Sequence, residues 1–144
     1  MILFSSALEL LIKDIMINNL IVDAARDKIF LTLIVGKNIY TCSHENSKIN
    51  FEKMTILVND FLKNNKGSLN DVEAIYVNRG PGSFAGIRNS LSMIKALFLT
   101  KNIDYYCYSH SDFGKLDKIK HADIPNLCQK FKIKKNLINP IYLS

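Results

Sequence analysis

The spacing of apolar residues along the chain changes several times, and each change marks an element. Leu20-Ile21-Val22 is an unbroken apolar run ending at Asp23, the pattern of a short buried strand. Ile29–Val35 and Ile39–Ser43 are two further strands, joined by the tight Gly36-Lys37-Asn38 connection. Connections this short exclude a parallel crossover, so the three strands form an antiparallel meander. From Ser47 to Leu62 the period lengthens. Phe51, Met54, Val58 and Phe61 mark one face of a predicted helix, and Ile56, Leu57 and Leu62 widen its apolar arc, with Asn50 or Ser47 as the cap. Lys63–Asn70 ends that helix, and Val72–Val77 reads as a fourth strand. Phe84, Ile87, Leu91, Ile94 and Phe98 then recur at three and four, predicting a helix to about Leu99, and Ile103–Tyr108 is a fifth strand. The order β-β-β-α-β-α-β places a meander beside a parallel portion: a mixed α/β layer with helices on at least one face.

Both ends depart from this regularity. At the start, Leu8, Leu11, Ile12 and Ile15 share a face of a short helix broken by charges, with no basic n-region or small-residue cleavage site. Met16 is an alternative starting point, and an added helix over an apolar face is the other reading. After Tyr108, Phe113, Leu116 and Ile119 hold a three-residue spacing for barely two turns, and Pro125 interrupts the pattern beyond them. Leu127, Phe131 and Ile133 stand as separate anchors among lysines, and Leu137–Leu143 is apolar enough to dock as an extended tail. The chain divides into an extension (1–18), an α/β lobe (19–109) and a lysine-rich region with a tail (110–144).

Composition narrows the class. At 144 residues and 48% apolar there is material for one core, supplied in bulk by eight Phe and six Tyr with no Trp. Cys42, Cys107 and Cys128 are odd in number and far apart, which fits neither a disulfide framework nor a zinc site, and implies a reduced, cytoplasmic setting. His44, His110 and His121 have no metal-binding spacing, and no apolar run is long enough to span a membrane. The net charge of +6 is uneven: Asp112–Lys135 carries seven lysines against three aspartates. Such a segment is compatible with RNA proximity through phosphate attraction, but it carries no aromatic platform motif, and a solvated surface is the favoured reading.

The organising stretch is Arg79-Gly80-Pro81-Gly82-Ser83-Phe84-Ala85-Gly86-Ile87-Arg88, between the fourth strand and the second long helix. Gly80-Pro81 turns the chain, Gly82 relieves steric limits and Ser83 is placed to cap the helix. Gly86 occupies a position where a helix former is better by about 1 kcal/mol, so something approaches it closely. One reading is an anion cradle at a helix N-terminus flanked by Arg79 and Arg88. The other is a tight turn with two surface arginines. Asp23 likewise reads either as a carboxylate holding a metal-bound water or as an acceptor for amides in the Ala24-Ala25 turn. The second helix also carries Met93, Ala96, Leu97 and Leu99 off its first stripe, with Ala85, Ser90 and Ser92 small, a pattern suited to a partner surface.

The run Asn78–Arg88 resembles the signature Gly-Arg-Gly-Pro-Gly-Ser-Phe-Thr-Gly-Leu-Arg of the bacterial TsaB family, a glycoprotease-like, peptidase M22-like group. Val22-Asp23-Ala24-Ala25 resembles its Ile-Asp-Thr-Ser strand end, and Asn139-Pro140-Ile141-Tyr142-Leu143 its closing Pro-x-Tyr-Leu. The likeness covers most of 19–109 and the extreme tail. It implies an actin/Hsp70/sugar-kinase-like, ribonuclease H-like lobe, with the second lobe of the family largely missing. It further implies a noncatalytic partner of a TsaD-like subunit, which transfers threonylcarbamoyl to N6 of adenosine 37 in tRNAs reading codons that begin with A. A TsaE-like ATPase joins the assembly, with ATP and Mg at the level of the complex, tRNA met through it, and a homodimer as the alternative pairing. By position the interface falls to Met54, Val58, Phe84, Ile87, Arg88, Leu91 and Lys95.

Three substitutions against the family's motifs bear on chemistry. Ala85 stands for Thr and Ala24-Ala25 for Thr-Ser, which leaves Asp23 and Gly82 as the residues for any nucleotide handling. No HExxH pattern, no Ser-His-Asp arrangement and no catalytic set is visible. A different class, an independent actin-like ATP-dependent phosphotransferase or hydrolase, would use Asp23 and the glycine loop.

Overall fold

The computed structural model describes residues 18–142. The expectations for the first fifteen residues therefore lie outside the described part. Strands β1 (Asn18–Asp23), β2 (Lys28–Val35), β3 (Asn38–Glu45), β4 (Val72–Asn78) and β5 (Asp104–Tyr108) form one sheet in the order β3-β2-β1-β4-β5. β1, β2 and β3 pair antiparallel, as their short connections require, whereas β4 runs parallel to β1 and β5. This is the mixed sheet of a ribonuclease H-like lobe.

The pleat sorts consecutive strand residues to opposite faces. Leu20, Val22, Ile29, Leu31, Leu33, Ile75, Val77, Tyr105 and Cys107 enter one cluster, and Ile21, Ala74, Tyr76 and Tyr108 enter another. The first face is covered by helices α1 (Lys48–Glu52), α2 (Met54–Asn64) and α3 (Phe84–Lys101). The helix expected over Ser47–Leu62 is two. Lys53 leaves helical geometry (φ −107°, ψ 26°), while Phe51 and Met54 on either side of it are both buried. Ser47 is the cap, its Oγ accepting from the Asn50 amide at 3.1 Å; the Asn50 side chain donates instead to the Glu45 carbonyl.

α3 buries a wider arc than its first stripe. Ile87, Leu91 and Ile94 are joined in the core by Met93 and Leu97, because the helix packs on α1 and α2 as well as on the sheet. Half of the apolar surplus read from the sequence on this helix, Met93 and Leu97, is therefore used inside the chain. Ala96 and Leu99 remain outside.

The second face is covered by irregular chain and one short helix, α4 (Ile124–Lys130). Pro125 does not interrupt this region; it sits in the first turn of α4, where its missing N–H costs nothing. The buried anchors are Phe113, Ile124 and Cys128. Leu127 and Ile133 only pack against them, Phe131 is partly exposed and Leu116 is exposed. The closing segment lies along the edge beyond β5. The Asn136 amide donates to the Tyr105 carbonyl at 2.8 Å, and the Asn136 side chain accepts from the Tyr105 amide at 2.9 Å. Further on, the Ile141 amide donates to the Arg79 carbonyl at 2.7 Å and Tyr142 meets Phe84, ring centroids 4.7 Å apart.

Candidate functional site

Asp23 ends β1 at the carboxyl end of the parallel strands, the end at which open α/β sheets place their ligands. Its side chain is fully buried. Oδ1 accepts from the Ala25 amide and from Asn78 Nδ2, both at 3.2 Å. Oδ2 lies 2.8 Å from His121 Nε2 and 3.4 Å from Arg26 Nε. Burial acts to raise the Asp23 pKa, but the His121 hydrogen bond and charge, with Arg26 and Asn78, outweigh it and hold the carboxyl below its ordinary value. The reading as an acceptor for the Ala24-Ala25 turn thus matches the geometry, and each oxygen already has two partners.

Around this carboxylate the structure gathers residues from distant parts of the chain. Arg26 Nη2 is 3.0 and 3.2 Å from the two ring nitrogens of His110. Burial, and then Arg26, lower the His110 pKa despite the opposing pull of Asp23. Asn78 also accepts the Gly80 amide at 2.9 Å, so one side chain links Asp23 to the glycine junction. Tyr108 is fully buried beside them, its hydroxyl without a hydrogen-bond partner among the described residues. Among the described residues, no group of three His, Cys, Asp or Glu side chains is placed to hold a metal ion.

The glycine junction closes onto the chain's own β1–β2 turn. A Cβ on Gly82 would stand 2.0 Å from the Ala25 carbonyl oxygen, and one on Gly86 would stand 1.8 Å from that of Ala24. The Ser83 amide donates to the Ala25 carbonyl at 2.9 Å, and the Ser83 hydroxyl caps the Gly86 amide at 3.2 Å. The close approach inferred at Gly86 is real, and its source is the Ala24-Ala25 backbone. Arg79 points away from any cradle. It forms a two-pronged pair with Asp112 at 2.7 and 3.3 Å and donates to the Asn139 carbonyl at 3.1 Å. Of the two flanking arginines only Arg88 is exposed.

The residues placed at a partner surface divide by depth. Met54, Val58, Ile87 and Leu91 are buried within this chain, whereas Phe84, Arg88 and Lys95 are exposed. Those three continue a stripe along α3 with Ser92 and Leu99, spaced at four, four, three and four. Beside it runs a groove of about 470 Å³ lined by Lys48, Phe51 and Glu52 of α1 and by Ala85, Arg88, Asn89 and Ser92 of α3. Ile49 and Phe84, 69% and 56% exposed, are large apolar side chains left on these two helices.

His121 and Arg26 were not singled out in the sequence as partners of Asp23, nor His110 as the partner of Arg26. His121 is 98 positions from Asp23 and sits in a single 3-10 turn, so no local spacing announces it. Asn78 offered a signal, since it immediately precedes the glycine run at a strand end.

The matches to known proteins fall on the same elements. The family model for TsaD, tRNA N6-adenosine threonylcarbamoyltransferase, matches residues 45–128, from the end of β3 through α3 to α4. The chain belongs to this family. Within it the chain is TsaB-like: it is 31% identical over 71 residues to the tRNA threonylcarbamoyladenosine biosynthesis protein TsaB of Buchnera aphidicola subsp. Baizongia pistaciae, covering 43% of this chain and 32% of that protein. A tRNA N6-adenosine threonylcarbamoyltransferase of Syntrophotalea carbinolica is 30% identical over 79 residues, 55% of this chain and 23% of the relative. The chain thus spans about a third or less of the curated relatives it matches. YeaZ from Pseudomonas aeruginosa superposes with a TM-score of 0.60 at 21% identity, over 65% of this chain and 44% of that one, which shows a shared fold. No helix among the described residues is long and apolar enough to cross a membrane.

Proposed function

We propose that the chain is a noncatalytic scaffold or activating subunit of the machinery that installs N6-threonylcarbamoyl on adenosine 37 of tRNAs reading codons that begin with A. It docks a TsaD-like transferase on the exposed face of α3 and the adjoining α1. The observation that carries this reading is the continuous exposed stripe of Phe84, Arg88, Ser92, Lys95 and Leu99 on a helix whose other side is buried. Small residues at Ala85 and Ser92 let a partner helix approach the groove beside it closely. The glycine junction serves this face indirectly, by seating the start of α3 on the β1–β2 turn. A noncatalytic role agrees with the Asp23 carboxylate, whose oxygens are engaged inside the chain. We place the working unit at 19–109, with 1–18 an extension and 110–144 a covering segment and tail. A TsaE-like ATPase, with its ATP and Mg, joins at the level of the assembly, and without the transferase the same face pairs two copies.

The test mixes the chain with a TsaD-like transferase and reads mass by size-exclusion chromatography with light scattering. A stable complex is expected at micromolar concentrations. Phe84→Asp, at an exposed site that also meets Tyr142, is expected to weaken it by about 2 kcal/mol or more while costing the chain's own thermal stability no more than about 1.5 kcal/mol. A wild-type chain that stays apart from the partner overturns the proposal. The alternative of an ATP-dependent phosphotransferase or hydrolase draws on the position of Asp23 at the strand ends. Nucleotide binding by the isolated chain, lost in Asp23→Asn, would favour it instead.

A further inference from the structure

The proposed docking face leaves the opposite side of the sheet unused, and that side is basic. Residues 112–135 supply its cover and hold seven lysines against Asp112, Asp117 and Asp123. All seven lysines are exposed. Two of the acids are already committed: Asp112 to Arg79 and the Ser109 amide, Asp123 to the Lys120 amide. One of the lysines, Lys135, has an acidic neighbour, Asp104 at 3.6 Å. Among the described residues the other six lysines have no ion-pair partner.

Two grooves run over this layer and share Asn126. One, of about 320 Å³, has Lys118 and Lys130 on its walls together with Asp117 and Asp123, the latter held by the Lys120 amide. The other, of about 390 Å³, is lined by Lys132, the amide side chains of Asn19, Asn126 and Gln129, and the stacked rings of Tyr76 and Tyr106, 5.0 Å apart and 11° from parallel. Between the flanking lysines stands Phe131, 38% exposed, one side held by Phe113 at 5.7 Å and Lys130 lying 5.6 Å from its centroid. Phosphates are met by mobile lysine ammoniums, and an unpaired base by an aromatic face and by amides that both donate and accept.

We infer that this lysine-bearing layer, centred on Lys118, Lys130, Phe131, Lys132 and Lys134, is a contact surface of the chain itself for structured RNA. The inference rests on the proposed role in tRNA modification, and adds that RNA is met on the sheet face opposite the transferase-docking helices. An acidic membrane surface would use the same charges and could take the exposed ring, but it has no use for the amide side chains of Asn19, Asn126 and Gln129, which both donate and accept.

The probe is a labelled tRNA transcript titrated with the full chain by fluorescence anisotropy at about 50 to about 200 mM KCl. K118Q/K130Q/K132Q is compared with K37Q/K63Q/K66Q, three exposed lysines in the β2–β3 turn and at and just beyond the end of α2, away from both the docking groove and this layer. The first set is expected to weaken binding about tenfold or more and to flatten the dependence of log K on log salt by about two to three. The second should change affinity less than about twofold. F131A should weaken binding to the tRNA about fivefold with its salt slope unchanged, the mark of stacking. All three variants are checked for unchanged thermal unfolding and for complex formation with the transferase. If the complex forms while tRNA binding is absent, or is lost equally in both lysine sets, the RNA surface is wrong although the scaffold stands. Binding to phosphatidylserine vesicles with no binding to tRNA overturns it in favour of lipid.

Discussion

The two faces of the sheet are held down by different physics. On the first face, three helices bury periodic side chains, with Phe51, Met54, Val58, Phe61, Ile87, Leu91 and Ile94 against Leu20, Val22, Ile75 and Val77. On the second, a smaller apolar set around Tyr108, Phe113, Ile124 and Cys128 is supplemented by polar ties: His121 to Asp23, Arg79 to Asp112, Asn136 to β5. Apolar burial is non-directional and nearly independent of pH. Buried charge ties are directional, and losing one partner strands the other. The second face is therefore the one that a single substitution or acid releases.

The largest expected effect comes from Asp23→Ala, which leaves Asn78, the Ala25 amide, His121 and Arg26 without their common acceptor. About 3–5 kcal/mol of stability should be lost in denaturant unfolding, with amide exchange rising first in 109–142. Uniform acceleration over both faces would mean that the tie is no more local than the core. Next is Gly86→Ala on the first face. Its Cβ would meet the Ala24 carbonyl at 1.8 Å, so the start of α3 must shift, at a cost of about 2–4 kcal/mol. A neutral result would show that the junction yields freely and does not set the helix.

The response to pH is smaller and separates the faces without mutation. His110 has a folded pKa below its ordinary value, chiefly through burial, so the unfolded chain binds more protons as pH drops through the histidine range and stability falls. Asp23, lowered by His121 and Arg26 against the cost of burial, adds stability above the ordinary carboxylate value that is lost as pH falls through its depressed folded value. A two-step acid decline is expected in thermal unfolding, the upper step absent in His110→Gln. A single step below the carboxylate range in the wild type would contradict the role given to His110.

The same contrast explains what could be read from the sequence. The strands, their antiparallel start and the two helical regions of the first face were legible because long periodic patterns report one buried stripe. The division at Lys53 was not, since Phe51 and Met54 both point inward and keep the spacing. The second face was largely illegible: α4 has only seven residues, and its buried anchors Ile124 and Cys128 form a single four-residue interval around Pro125. In the site, Asp23 and the glycine run stood out through their types and positions. His121 did not, because its meaning lies entirely in a contact across 98 residues. Exposure along α3 was equally hidden: Ile87 and Leu91 turn inward, Phe84 and Arg88 outward, and only packing decides which.

The most direct test of the docking face is amide hydrogen exchange on the chain alone and mixed with a TsaD-like transferase. New protection is expected in Lys48–Lys53 and in the first three turns of α3, around Phe84, Arg88, Ser92 and Lys95, with 112–135 unchanged in the absence of RNA. Protection confined to 112–135, or none along α3 in a complex that has formed, would contradict the assignment of the helical face to the partner.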